Sequence, residues 1–452
     1  MLIKIIVENY KSFDNREELS MLSSSKIQSN KDHKINIKST SILKNAVIYG
    51  ANASGKSNLV KAFSFIKNVL INGLPIDCAN DFCKNKVENK DKESFFELQF
   101  TVDNKFYAYG FSAILSQRII TEEWLYDLLQ DGSANILYIK EKNKAPVLSE
   151  KIKLVSNEKN RFKVYAQDFA NTNNMLFLTE MNRGKNYDKN SKLLFFPKIF
   201  SWLINNIIVL NPNMGISNTE AYYHEESLNN ITQLIKTFDT GITDIKTKKI
   251  SLEEMSKMIP QEIMRSIFSN INRQIQTNNL NTIQMTWRIE GGFFNIRVKN
   301  NEEPEISTII LKHGNSSLNF DFQEESDGTK RLFDLIDMLL TDRPDTTFVV
   351  DELERSLHPK LTEHFLKMFM EAHKDTKMQL IFTTHEDTVM NQELFRRDEI
   401  WFVERDNNNS SKVYSLDRFK ERYDKTLSKA YLEGRYGAIP VFKQFKFKNG
   451  DN

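Results

Sequence analysis

One string, Gly50-Ala51-Asn52-Ala53-Ser54-Gly55-Lys56-Ser57, constrains this chain more than any other feature. It fits G-x-x-x-x-G-K-[ST] without a gap. It follows an apolar, β-branched segment, 42–49, that predicts a strand. It precedes 58–70, where Leu59, Ala62, Phe63, Ile66, Val69 and Leu70 recur at helical spacing. A strand, a glycine-containing turn and a helix in that order make a phosphate cradle. The glycines let the backbone curl so that several N–H groups point at one anion, and the N-terminal dipole of the helix adds to their pull. A chance match in an ordinary turn would lack these flanking elements. The expected contact set is Gly50, Asn52, Ser54, Gly55, Lys56, Ser57 and Asn58, with Lys56 reaching the β- and γ-phosphates and the Ser57 hydroxyl ligating magnesium.

Such a loop needs an acid to place the metal. Phe348-Val349-Val350-Asp351-Glu352 reads as a buried strand ending in two carboxylates. In a doubly wound sheet that strand end opens toward the phosphate loop. Asp351 is expected to hold magnesium through water, and Glu352 to orient or deprotonate an attacking water. Alone, two such acids would as readily cap a turn. Phe382-Thr383-Thr384-His385 ends another buried strand, and His385 there could donate to a γ-phosphate. A single His after a strand is more often structural; the order loop, acid pair, His is what favours the catalytic reading.

The charge balance sets limits on partners. Lys plus Arg is 62 and Asp plus Glu is 60, a net +2 over 452 residues, so there is no bulk attraction to nucleic acid or to an anionic membrane. Any DNA contact would need a local patch. With 15 Gly, 9 Pro and 40% hydrophobic residues, the chain is neither collagen-like nor wholly disordered. No run of about 18 apolar residues predicts a membrane span, and the short apolar start ends in a charge, unlike a signal peptide. A soluble cytoplasmic protein is expected. Cys78 and Cys83 are too few for a disulfide framework or a zinc site and read as reduced thiols.

The fold class expected is α/β, in three stretches. Residues 1–154 form an N-terminal lobe with the phosphate loop, with strands at 2–7, 42–49, 95–102, 105–112 and 118–126. Residues 155–320 form a mainly helical insertion, with helices at 191–206, 225–238 and 251–276, followed by strands at 282–298 and 305–322 with a Gly-Gly turn. Residues 321–452 return to α/β order: helix 329–340, strand 347–350, helix 361–373, strand 379–383, and edge strands at 401–404 and 413–416. The Lys- and Asn-rich run 85–92 reads as a solvated loop. No sustained heptads predict a coiled-coil arm.

Glu325-Ser326-Asp327-Gly328-Thr329-Lys330-Arg331 lies just before a predicted helix and ahead of the acid pair. By itself it is a capped helix start, since Ser and Asp favour that position. With the other motifs it resembles the signature of ABC-type ATPase heads of the RecF and SMC kind, with Asp327 where those heads usually carry Gly. The resemblance implies a P-loop ABC-type head with an insertion between its two lobes. It also implies that Ser326 and Gly328 of one protomer contact the γ-phosphate bound by another. A closer resemblance, over most of the chain, is to bacterial ATPases related to the OLD (overcoming lysogenization defect) proteins, which include PARIS ATPase subunits and RloA-like abortive-infection proteins. It rests on Glu8-Asn9-Tyr10-Lys11-Ser12-Phe13, the phosphate loop, Glu122-Glu123-Trp124-Leu125-Tyr126, Phe238-Asp239-Thr240-Gly241-Ile242, the signature, Asp351-Glu352-Leu353-Glu354-Arg355-Ser356-Leu357-His358-Pro359 and Tyr431-Leu432-Glu433-Gly434-Arg435-Tyr436-Gly437-Ala438-Ile439-Pro440. Ser356-Leu357-His358 takes the place of the loop that crosses the dimer interface in such heads.

The resemblance implies ATP and Mg2+ as cofactors, an ATP-sandwich homodimer or higher oligomer, and a separate effector, a nuclease or toxin, in anti-phage defence. The stretch after the last predicted strands is shorter than the TOPRIM nuclease of OLD proteins needs. Gln99 or Gln167 is expected to be the magnesium-contacting Gln of the class, and Lys11 and Ser12 either approach the nucleotide or lie on a surface turn. The alternative function is a RecF-like ATPase that binds DNA in repair; a transporter subunit fits the altered signature and large insertion poorly.

Overall fold

Two patterns of burial separate the strands. Asn45–Tyr49, Thr347–Val350 and Gln379–Thr383 are buried at every position. Ser94–Val102 largely alternates between buried and half-buried residues. The first pattern suits a parallel sheet covered on both faces, the second an antiparallel sheet with one face on the core. The computed structural model contains both. It describes residues 1–212, 225–278, 282–289, 292–299, 302–341, 343–419 and 427–440.

The chain divides into two compact units. The first is Met1–Val209, Asp345–Asp351 and Asp375–Asn452. It holds a seven-stranded antiparallel sheet in the order Val147–Leu148, Ala134–Glu141, Ile119–Leu128, Lys105–Ile114, Ser94–Val102, Leu2–Glu8, Glu17–Ser20. Its six-stranded sheet runs Ile207–Leu210, Thr347–Val350, Gln379–Thr383, Asn45–Tyr49, Ile400–Arg405, Ser411–Ser415. The four strands from Thr347–Val350 to Ile400–Arg405 are mutually parallel, and Ser411–Ser415 is antiparallel to its neighbour.

The helix Lys56–Asn72 joins the two sheets in one core. Leu59, Val60, Phe63, Ile66 and Val69 share an apolar cluster with Ile5, Phe96 and Phe111 of the antiparallel sheet and Val349 and Ile381 of the parallel one. Ring contacts run from Tyr10 to Phe65 (5.2 Å), Phe65 to Phe96 (5.0 Å) and Phe96 to Phe111 (5.1 Å). Burying such side chains contributes roughly 1.5–3 kcal/mol each.

The second unit is Leu210–Pro344 and Glu352–Lys374. Its antiparallel sheet has the order Ile242–Ile250, Glu305–His313, Gly292–Lys299, Thr282–Ile289, and Phe320–Asp321 pairs with Glu305–His313. Met255, Ile267 and Ile271 from its helices pack with Ile283, Phe294, Ile296 and Ile306 from the strands.

Several expected elements differ. Segment 42–49 is two strands, because Thr40–Leu43 pairs with Lys34–Ile37 while Asn45–Tyr49 enters the parallel sheet. Segment 251–276 is two helices, Leu252–Met258 and Gln261–Asn278; Pro260 forces Ile259 into an extended conformation (φ −138°, ψ 149°) between them. Ile400–Arg405 is an interior strand, not an edge. Ile242–Ile250 is a strand that the sequence reading did not anticipate. The two compact units are cut differently from the three expected stretches, since the helices Ser156–Phe169 and Phe195–Asn205 belong to the first unit. The run 85–92 is more than a solvated loop: Asn89 is buried, donates to Asp14 Oδ1 (2.7 Å) and receives a hydrogen bond from Asn9 Nδ2 (2.8 Å). The expected Gly-Gly turn lies partly outside the described residues.

Candidate functional site

Strand Asn45–Tyr49 runs into the glycine loop, and helix Lys56–Asn72 leaves it. Gly55 has φ 114°, and a Cβ there would stand 2.2 Å from Ser411 Oγ. A Cβ on Gly50 would stand 2.3 Å from Val403 O. Both glycines are therefore required by space, and Gly55 also by its dihedral. Lys56 is buried and donates to Gly50 O (2.7 Å) and Ala51 O (3.2 Å), which curls the loop around its ammonium. Ser57 and Asn58 are half-buried and Asn52 is exposed.

Three features fit an anionic ligand. The first turn of the helix has no acidic residue and its N-terminus has no side-chain cap, so its leading N–H groups are not taken up by a side chain. Ser54 Oγ is buried and has no hydrogen-bond partner among the described residues. A side chain at Gly50 would run into Val403 O and Ser54 Oγ, and one at Gly55 into Ser411 Oγ and Ser12 Oγ, so the tight curl of the loop depends on both glycines.

The loop is braced from outside. Ser411 Oγ donates to Ser54 O (2.5 Å) and can accept from the hydroxyl of Ser12, whose Oγ is 2.7 Å away, and Ser411 N donates to Ser12 O (2.8 Å). Asn58 Nδ2 donates to Ser12 Oγ (2.9 Å). Ser12 thus supports the loop, whereas Lys11 pairs with Asp81 (2.7 Å). Ser411 is the residue that sequence reasoning missed; a serine about 350 positions from the loop carries no local signal.

Strand register puts Asp351 at the same sheet edge as the loop. Val350 is opposite Phe382, and Phe382 is opposite Val47. Asp351 therefore follows one strand, Thr384 and His385 follow the next, and Gly50 follows the third, all at carboxyl ends. Adjacent strands lie about 4.8 Å apart, so Asp351 is two strand spacings across the sheet from Ile48, with Gly50 two residues further along. Asp351 is 5% exposed and accepts from Thr383 Oγ1 at 2.6 Å. That bond orients the carboxylate and leaves Oδ2 available for a cation. His385 is exposed at the strand end. Among the described residues no group of three or more His, Cys, Asp or Glu could hold a metal ion. A magnesium at this edge would draw on Asp351, Ser57 and phosphate oxygens, as Mg2+ commonly does with one or two protein ligands.

Glu352 and the signature belong to the second unit. Glu352 has φ 49°, a left-handed conformation that costs a non-glycine residue about 1–3 kcal/mol. Ser326 is the N-cap of helix Asp327–Leu340 and accepts from Thr329 N (3.1 Å), so the capped-start reading holds there. A Cβ on Gly328 would stand 2.6 Å from Ser356 O. Glu325 pairs with His313 at 2.6 Å. His358 caps helix Pro359–Ala372, accepting from Lys360 N.

Neither expected loop glutamine is on a loop. Gln99 sits within strand Ser94–Val102 and donates to Glu97 Oε1 (2.9 Å); Gln167 is exposed on helix Ser156–Phe169. Cys78 and Cys83 are free and buried. No described helix is long and apolar enough to cross a membrane.

Residues 46–148 and 195–391, more than half of the chain, match the family described as "AAA domain, putative AbiEii toxin, Type IV TA system". The chain belongs to that family. The segments of the AAA family match hold Gly50–Asn58, Ser326, Gly328, Asp351, Glu352 and His385, while the bracing Ser12 and Ser411 lie outside it. Similar solved structures include an SMC head bound to the C-winged helix domain of ScpA (12% identity, TM-score 0.40, covering 95% of this chain and 99% of that one). The SMC head domain from Thermotoga maritima is 15% identical, with TM-score 0.33 and coverage of 92% and 98%. An SMC head with an extended coiled coil, bound to the C-terminal domain of ScpA derived from Pyrococcus furiosus, is 14% identical, with TM-score 0.34 and coverage of 96% and 98%. No curated protein matches the chain.

Proposed function

We propose that this AAA-family chain is an ATP-binding and ATP-hydrolysing switch that pairs with a second copy around ATP and controls a separate effector, a nuclease or toxin, in anti-phage defence. The observation that carries the reading is the strand register that brings Asp351, Thr383 and the Gly50–Ser57 loop to neighbouring carboxyl ends of one parallel sheet. The family description, which names a toxin and a toxin–antitoxin system, supports the effector part.

Bound Mg-ATP would supply a γ-phosphoryl group, its charge eased by the metal, for transfer to water. The loop N–H groups and Lys56 bind the phosphates. Ser57 and Asp351 hold the magnesium. Glu352 orients the attacking water and takes its proton, and His385 donates to the γ-phosphate. Ser326 and Gly328 of a second copy complete the site, so binding closes the pair and hydrolysis releases it.

Glu352→Gln tests the scheme. The variant is expected to bind ATP, barely turn it over, and accumulate as a dimer in light scattering. A wild-type rate removes Glu352 from the chemistry; a monomer with ATP bound removes the sandwich. Hydrolysis stimulated by duplex DNA, with steep salt dependence, would move the function to DNA repair.

A further inference from the structure

Arg331 is five residues beyond Ser326 on the signature helix and only 4% exposed. Its Nη2 donates to Glu352 O at 3.2 Å. Among the described residues Nε and Nη1 make no hydrogen bond, and Nη1 is 3.8 Å from Asp334 Oδ2. A guanidinium offers five donors, and burying it with so few of them used is costly. The hydrogen bond it does make goes to the carbonyl of a residue in a left-handed conformation, φ 49°.

The same helix touches the other end of that loop. Residues 352–356 are bracketed by two left-handed residues, Glu352 and Ser356 (φ 62°). Gly328 allows the helix start to lie against Ser356 O, where a Cβ would come within 2.6 Å. Leu353 between them is fully buried, and Arg355 N donates to Glu352 O at 3.1 Å. The signature helix therefore moulds the loop at both ends, with Arg331 at the end that carries the carboxylate.

We propose that Arg331 is the positioning residue for Glu352: its hydrogen bond to the Glu352 carbonyl fixes the left-handed turn that aims the carboxylate, tying the set of the signature helix to the competence of the base. The proposal rests on Glu352 being the base. Arg331 acts through the backbone of Glu352. A shift of the signature helix would then change the turnover rate without changing how ATP is held.

The test is a double-mutant cycle in the full chain, with Arg331→Met, Arg331→Lys and Glu352→Gln. Arg331→Met is expected to keep KM and ATP affinity and lose about 100-fold in kcat, the scale of a misplaced catalytic group. Arg331→Lys, which keeps the charge but not the planar fork, should fall between. In the Glu352→Gln background neither change should lower the residual rate further, because the group that Arg331 positions is already disabled. Wild-type kcat in Arg331→Lys, or losses that multiply across the two sites, overturns the proposal. If Arg331→Met does not fold, Arg331→Lys carries the cycle alone. A wild-type rate for Glu352→Gln alone refutes the base assignment instead, which separates the two failures.

Discussion

Thr383 Oγ1 donates a 2.6 Å hydrogen bond to Asp351 Oδ1, and both residues are buried at the carboxyl ends of adjacent parallel strands. An acid so held presents a fixed oxygen to a cation. Thr383→Val keeps the shape and removes the donor. It should cost about 1–3 kcal/mol of stability, because a buried acceptor loses its partner. The more specific consequence concerns the metal: the magnesium dependence of ATP binding should weaken while ATP binding without metal stays unchanged. Calorimetric titrations with and without Mg2+ measure this. Equal losses in both conditions would show that Thr383 serves the fold alone.

Ser411 provides a second test, of the loop and not of the acid. It braces Ser54 O and Ser12 Oγ from the far end of the chain. Ser411→Ala should fold and bind ATP about tenfold more weakly, the equivalent of about 1.4 kcal/mol and of the order of one hydrogen bond. Gly55→Ala is the harsher change. It adds a Cβ 2.2 Å from Ser411 Oγ at φ 114°. A loss of about 1–3 kcal/mol in denaturant unfolding and of ATP binding is expected. Unaltered nucleotide affinity in both variants would mean that the braces do not shape the cradle.

Much of this was legible in the residues. Gly50–Ser57 carries its own geometry, because a turn of that composition between an apolar strand and a helix has few other solutions. Val349-Val350-Asp351 and Phe382-Thr383 read as buried strands because their apolar runs are unbroken, and both are. What local sequence does not encode is the pairing. Nothing near Ser411 announces that it will meet Ser12, and nothing near Ile400–Arg405 says that it lies inside the parallel sheet and not at its edge. Arg331 is a further case. On a helix with Lys330 beside it, an arginine reads as a surface residue, and only the folded chain shows it buried against Glu352 O. The split at Pro260 was readable in principle, since proline restricts the residue before it, but the apolar periodicity of 251–276 continues through it.

The two thiols offer a chemical check on the core. Cys78 is fully buried and burial pushes its pKa up to about 11; Cys83 is also fully buried, and burial raises it too. The thiolate is the reactive form. Neither should react with an aromatic disulfide reagent in the native protein at neutral pH, and both should react on unfolding in urea. A thiol titrated rapidly in the native state would place residues 78–83 outside the core.

A buried His–Glu pair behind the phosphate-loop strand sets a pH dependence of stability. His33 Nδ1 is 2.9 Å from Glu399 Oε2, and Glu399 Oε1 accepts from Asn45 Nδ2, the first residue of that strand. Burial opposes the charge on His33, but the hydrogen bond and charge of Glu399 outweigh it, and the imidazole pKa is raised above its ordinary value. Asp32 reinforces the shift and Arg396 opposes it. The folded state thus holds a proton that the unfolded chain, titrating near about 6.5, has begun to lose. That stabilisation is complete below the unfolded value and is lost as pH rises through the raised folded value. Wild-type urea midpoints should therefore fall from slightly acid to slightly alkaline pH by more than those of His33→Gln, which lacks the proton. Parallel midpoint curves for the two proteins would show that His33 binds its proton no more tightly in the fold than in the unfolded chain, and that the pair with Glu399 adds nothing to its basicity.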